Sequence, residues 1–340
     1  MKPIVTSNLL LVMTRKQKRM LRRHGDVVGI DATYRTNMWG LSLYLLTVIT
    51  SQGKGYPVAF SLPSSESKEA LIEVLLQCKK LVPEWDPKVM ICDKDDAELG
   101  AIAAVFPRAT IVLCDFHVKQ AWDRWLKTST HGVPKVDQKV IYRALCHISK
   151  APSLKALASR ILAFEEMEQF QTNPQLQRWW NTEWKGCVCL WCAAFRTSTY
   201  TRGLNTNNHT ESLNRAVKHM LNERLDLRID SLVLFMIEEV LKEFDSNHRR
   251  LQAIENVSIT RLKVASNFEP ELLDFLDRRP QRVMKLLNDR YISSKSIPAD
   301  SFKKTGPEQQ FVVTKSAKTL TIEHAVYRDS VRGVQESRKV

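Results

Sequence analysis

Three strand-like segments follow one another with almost no chain between them. VVGIDATYR (27–35), LSLYLLTVIT (41–50) and YPVAFSL (56–62) are rich in branched, aliphatic and aromatic residues, and the SQGKG between the last two is a turn by its glycines. Connections this short permit only antiparallel pairing, since a parallel crossover needs a dozen residues or more. The rhythm then changes. Ser64 or Ser65 can cap a helix running to about Leu81, with Leu71, Ile72, Leu75 and Leu76 at helical spacing. KVMIC (88–92) predicts a fourth strand, Asp96 to Phe106 a helix stopped by Pro107, ATIVLC (109–114) a fifth strand and His117 to Lys127 another helix. A meander followed by strand–helix–strand–helix predicts an α/β fold: a mixed five-stranded sheet with flanking helices.

Elsewhere the pattern is mostly helical. Residues 8 to 24 read as one or two short helices, with Leu9, Leu10, Met13, Met20 and Leu21 among basic residues. From about 131 to 200 strand signals fade and Trp179, Trp180, Trp184 and Trp191 stand in helical patterns, which predicts a helical insertion. A helix starts within NTNNHTESLNRAVKHML (205–221), and Ile229 to Leu251 carries one long apolar stripe. QQFVVTKSAKTLTIEHAVYR (309–328) alternates like a strand.

The chain has 340 residues, and its 51 Lys+Arg exceed 37 Asp+Glu, a formal net charge of +14. That excess points to a polyanionic partner, most simply nucleic acid, against the plain alternative of a basic soluble protein. No apolar run reaches the roughly 18 residues of a membrane span, and SNLLLVM is too short for the apolar part of a signal peptide. Seven cysteines without small-scaffold spacing predict reduced thiols. MTRKQKRMLRRH is either a nuclear import patch or a solvated helix face.

Against this charge, Asp93, Asp95, Asp96 and Glu98 crowd the end of the fourth predicted strand. Asp95, Asp96 and Glu98 are explained by the positive end of the helix that follows. Asp93 stands at the strand edge and is not. Asp31 lies in the first strand. If those strands are neighbours, the two carboxylates meet, and a divalent cation between them relieves their repulsion. Oxygen ligands favour Mg²⁺ or Mn²⁺. Glu211, on the polar face of its predicted helix with Arg215, is a candidate third ligand. The alternatives are a solvated ion pair with Arg215 and a capping contact with Asn208. Cys114 and His117 could be half of a zinc site, and Cys187, Cys189 and Cys192 are a weaker candidate. His117 could bind phosphate, position a metal water or move a proton; the alternative is a structural histidine at a helix start.

DATYRTN, GYPVAF, CDKDDAELGAI, FPRATIVLCDFHVKQAW and TNNHTESLNRAVK occur in the order and spacing of Mutator-like element (MULE) transposases and proteins domesticated from them. The resemblance covers about residues 20 to 222. It implies an RNase H-like fold interrupted by a helical insertion. The divisions expected are a helical lead-in (1–26), the first part of the core (27–130), the insertion (131–202), the rest of the core (203–255) and a helical and strand extension (256–340). It also implies a catalytic, metal-binding triad of Asp31, Asp93 and Glu211, with His117 in the family's Cys-x-x-His signature. Mg²⁺ or Mn²⁺ would be the cofactor, DNA the partner and the nucleus the location, with a second copy of the chain as a further partner and no membrane. Full-length relatives often add zinc-binding modules at both ends, including a SWIM finger, and residues 302–340 hold no cysteine. Two functions stay open. One is a DDE transposase core that cleaves and transfers DNA strands. The other is a domesticated, non-catalytic regulatory protein that binds DNA or protein.

Overall fold

The computed structural model describes residues 4–6, 8–196, 208–221, 227–255, 268–276, 281–295, 302–304, 311–315 and 318–322. Two compact units divide the chain, Met1–Leu251 and Gln252–Val340.

The first unit contains a mixed sheet of seven strands: β1 (Ile4–Val5), β2 (Leu9–Val12), β3 (Val27–Thr33), β4 (Leu43–Ile49), β5 (Gly55–Pro63), β6 (Val89–Cys92) and β7 (Thr110–Leu113). Their order is β1-β2-β5-β4-β3-β6-β7. The meander pairs antiparallel, whereas β6 runs parallel to β3 and β7 parallel to β6. In the tight turn before β5, Gly53 takes φ 71° and donates to the Thr50 carbonyl at 2.9 Å.

The five expected strands are all present, and two more extend the sheet. Residues 8–24 are therefore only half helical. Leu9–Val12 pairs antiparallel with β5, from Leu9 opposite Pro63 to Val12 opposite Phe60. Helix α1 (Arg15–His24) begins only after Thr14, which forms a capping box with Gln17. Four apolar residues in a row have no period that separates strand from helix. The next helix, α2 (Lys68–Leu81), is capped by Ser67 and not by Ser64 or Ser65. Strand β5 runs through Pro63, and the Ser64 amide is taken by the Asn8 carbonyl at 2.9 Å.

Helices cover both faces. On one, Val28, Ile30, Leu46, Val48, Met90 and Leu113 join a core with Leu71, Val74 and Leu75 of α2 and Ala101 and Ile102 of α3 (Asp96–Val105). After β7 come α4 (Asp115–Lys127), α5 (Lys135–Ser149), α6 (Leu154–Glu165), α7 (Glu168–Gln171), α8 (Pro174–Trp179) and α9 (Val188–Trp191). Residues Trp180–Lys185 continue α8 as a π-helix. This helical block extends the same core: Trp122 of α4 meets Trp184 at 5.5 Å and Trp191 at 5.2 Å between ring centres. On the other face Leu43, Leu45, Phe60 and Leu62 pack with Val217 and Leu221 of α10 (Asn208–Leu221) and with Leu232 and Phe235 of α11 (Ile229–Phe235). The long helix from Ile229 contains one π-turn, Met236–Val240, before α12 (Leu241–Glu255). The turn shifts Met236, Val240 and Leu241 into the same buried cluster.

In the second unit Leu276 and Met284 centre a small core on α13 (Leu273–Leu276) and α14 (Gln281–Lys295). The alternating segment there forms an antiparallel hairpin, β9 (Phe311–Lys315) with β10 (Lys318–Ile322), and β8 (Phe302–Lys304) adds to β9.

Candidate metal centre

The parallel register of β3 and β6 sets the site. Val27 pairs with Val89, Val28 with Met90 and Gly29 with Ile91. Two residues further along both strands, Asp31 comes level with Asp93 on chains roughly 4.8 Å apart. Side chains alternate, so Asp31 shares its face with Val27, and Asp93 continues the face of Val89 and Ile91, which cluster with Val27. Asp31 is 6% exposed and lies opposite Leu45, which packs against α10. Asp31 and Asp93 therefore stand at the carboxyl ends of neighbouring strands. Glu211 lies on α10, which crosses that face of the sheet; its side chain is outside the described residues.

The end of β7 brings Cys114 and His117 beside Asp93. The Cys114 amide donates to the Cys92 carbonyl at 2.9 Å, tying the ends of β6 and β7 together. Cys114 takes the N-cap position of α4 without a side-chain capping bond, so His117 stands one turn along on the same side. His117 Nδ1 hydrogen-bonds Asp93 Oδ1. Burial disfavours the imidazolium, but hydrogen bonds to Asp93 and Cys114 outweigh it and hold the His117 pKa well up. His117 thus stands at a helix start with its ring hydrogen-bonded to Asp93, an arrangement compatible with either of its sequence readings.

One acid of the site was not legible in the sequence. Asp95 caps α3, accepting from the Glu98 amide at 2.9 Å, as its position at a helix start predicts. Glu98 does something else. It is 5% exposed and accepts from the Asp93 amide at 3.2 Å, so it braces the loop that carries Asp93. Burial, then the charge of Asp93, pushes the Glu98 pKa well up against that hydrogen bond, and Asp31 adds to the rise. The charges of these three carboxyl groups thus disfavour one another. Glu98→Gln keeps an acceptor for the Asp93 amide and removes the charge. At neutral pH without metal the variant gains stability, on the order of 1 kcal/mol. Because the folded pKa of Glu98 lies above its unfolded value, the parent gains stability as pH falls toward the ordinary carboxylate range, and the variant gains less. Urea unfolding at several pH values checks this; parallel curves for the two proteins would refute it.

Beside the acids lies a cleft of about 480 Å³ lined by Asp93, Lys94, His117, Arg124, Trp179 and Trp184, among others. Lys94 is held by Glu183 at 2.7 Å and lies over the Trp184 ring. None of the seven cysteines is joined in a disulfide. The CVCLWC cysteines do not gather: Cys187 donates to Glu183 O, Cys192 to Ile148 O, and Cys189 is exposed. Among the described residues, Asp93, Cys114 and His117 form the one cluster suited to a metal ion.

Comparison with known proteins fits this geometry. Residues 6–112 match the RNase H-like domain of zinc finger SWIM domain-containing proteins 1 and 3. The match contains Asp31, Asp93 and Glu98 and ends just before Cys114. The fold is thus RNase H-like, a class whose members commonly bind nucleic acid and divalent metals. An alignment 220 positions long, covering 58% of this chain, is 28% identical to a segment of the PKS-NRPS hybrid synthetase cheA of Chaetomium globosum. The chain spans 5% of that protein's length, too little to carry its activity over. Among the described residues no helix is long and apolar enough to cross a membrane.

Proposed function

We propose that the chain is the core of a MULE-type DDE transposase, a metal-dependent enzyme that cleaves and transfers DNA strands. The observation that carries this reading is the β3–β6 register, which sets Asp31 level with Asp93 on one face of an RNase H-like sheet. Asp31 and Asp93, with Glu211 from α10 as the third ligand, would hold Mg²⁺ or Mn²⁺. Such an ion would supply activation of a hydroxyl nucleophile and stabilisation of the leaving oxygen in phosphodiester chemistry. His117 fixes the Asp93 carboxylate, and Glu98 fixes its backbone. Lys94 and Arg124 line the cleft beside the acids and offer contacts to DNA phosphates that carry little sequence information. This substrate places the protein's work in the nucleus.

One observation favours a second reading, a domesticated protein that binds DNA or protein without catalysis: the Asp93 carboxylate is already engaged by His117. Calorimetric titration of Mn²⁺ into the parent and into Asp93→Asn separates the two. The enzyme reading expects binding in the parent and at least tenfold weaker binding in the variant. No binding in either, with salt-sensitive DNA binding retained, would instead support the second reading.

A further inference from the structure

Three side chains of different chemistry meet where β6 and β7 end. The Asp93 carboxylate, the Cys114 thiol and a ring nitrogen of His117 all lie within 4.8 Å of one another. The Cys114–Cys92 backbone bond fixes the two strand ends side by side, and the first turn of α4 sets Cys114 and His117 on one side. Cys92 is excluded because it packs into the core of the opposite sheet face. Cys114 is fully buried, whereas the side chains of His117 and Asp93 are 23% and 33% exposed. Both line the cleft, so the open side of the cluster faces it.

Thiolate and imidazole are poor ligands for Mg²⁺ and good ones for zinc-like ions. Zinc takes sulfur at about 2.3 Å and nitrogen at about 2.0 Å, so ligand atoms on one tetrahedral ion stand roughly 3–4 Å apart. The three ligand atoms already lie within 4.8 Å of one another, so small side-chain rotations that open the His117–Asp93 hydrogen bond bring them to that range. The charges also balance: thiolate and carboxylate neutralise the dication, and the imidazole is neutral.

We propose that Asp93, Cys114 and His117 form a second site, for a zinc-like divalent ion, with its fourth position open to the cleft. Because Asp93 belongs to both sites, an ion here withdraws it from Asp31 and opposes binding of a hard ion. The competition, though not the site itself, rests on the reading of Asp31 and Asp93 as hard-ion ligands.

The test uses the full chain with its thiols reduced and Co²⁺ as a spectroscopic stand-in for zinc. One equivalent of Co²⁺ gives a near-ultraviolet thiolate-to-cobalt band and tetrahedral visible bands, and Zn²⁺ bleaches them. Cys114→Ser removes the thiolate band, while Asp31→Asn and Cys189→Ser keep it. His117→Asn weakens Co²⁺ binding at least tenfold, and this variant decides the matter if Cys114→Ser does not fold. No thiolate band in the parent, or a band that survives in Cys114→Ser and vanishes in Cys189→Ser, would overturn the site. One equivalent of Zn²⁺ is also expected to weaken Mn²⁺ binding at least tenfold, and unchanged Mn²⁺ affinity would overturn the sharing of Asp93. If the zinc-free parent takes up no Mn²⁺, the hard-ion reading has failed, and the cobalt bands still decide the second site.

Discussion

If the chain works as the proposed transposase core, Asp31→Asn is expected to lower metal-dependent nicking of supercoiled DNA on the order of 10³-fold and to leave the protein folded. The magnitude follows from the several kcal/mol of charge stabilisation that a bound ion supplies, with each 1.36 kcal/mol worth tenfold in rate. The substitution is nearly isosteric, so the packing of Asp31 opposite Leu45 is kept. It also removes one negative charge from a group that already holds Asp93 and the buried Glu98. The metal-free variant is therefore at least as stable as the parent. Thermal unfolding with and without Mn²⁺ gives a second reading of the same point. The ion raises the midpoint of the parent and leaves that of the variant unchanged, because only a ligand that binds the native state stabilises it. Equal nicking by parent and variant would remove Asp31 from the mechanism, whatever the sheet register.

The sequence makes the site legible unevenly, and the reasons are physical. Asp31 and Asp93 can be read because each breaks an apolar run in a strand that short loops or helical spacing delimit. Their neighbourhood depends on β3 pairing with β6, which the sequence leaves as a condition because the crossover through α2 could return to either edge of the meander. The spacing of Cys114 and His117 is visible as one helical turn, but the contact of His117 with Asp93 is not, because it depends on β6 and β7 being adjacent. The sequence places Glu98 at a helix start, because an acid in a first turn is satisfied by the dipole in any context. Its burial comes from tertiary packing: Tyr44, itself buried, stands close enough that the charge of Glu98 helps to raise its pKa after burial. Strand β2 was missed for a different reason. Its four apolar residues carry no period, and only the free edge of β5 decides their conformation. The candidacy of Glu211 owes more to the family resemblance than to its helical wheel, on which a solvated ion pair reads equally well.

The largest effect on stability is expected at Trp122, away from the acids. Trp122→Ala costs about 3–5 kcal/mol, the range for removing a buried tryptophan. The side chain is fully buried and meets Trp184 and Trp191 edge-on, at 76° and 81° between ring planes. Such contacts add about 0.5–1.5 kcal/mol to the area term. Its ring N–H has no hydrogen-bond partner in the described structure, so Trp122→Phe forfeits packing alone and costs less than the alanine change. The consequence reaches the site because α4 carries both ends of the linkage. Trp122 fastens the helix to the insertion, and His117, five residues earlier, reaches Asp93. Urea unfolding at neutral pH ranks the two variants against the parent. The cobalt bands in the folded fraction of Trp122→Phe then report whether the first turn of α4 still presents Cys114 and His117 together. If Trp122→Ala costs under about 1 kcal/mol, the insertion does not hold α4 in place, and the aim of His117 must be set by Cys114 and the strand ends alone.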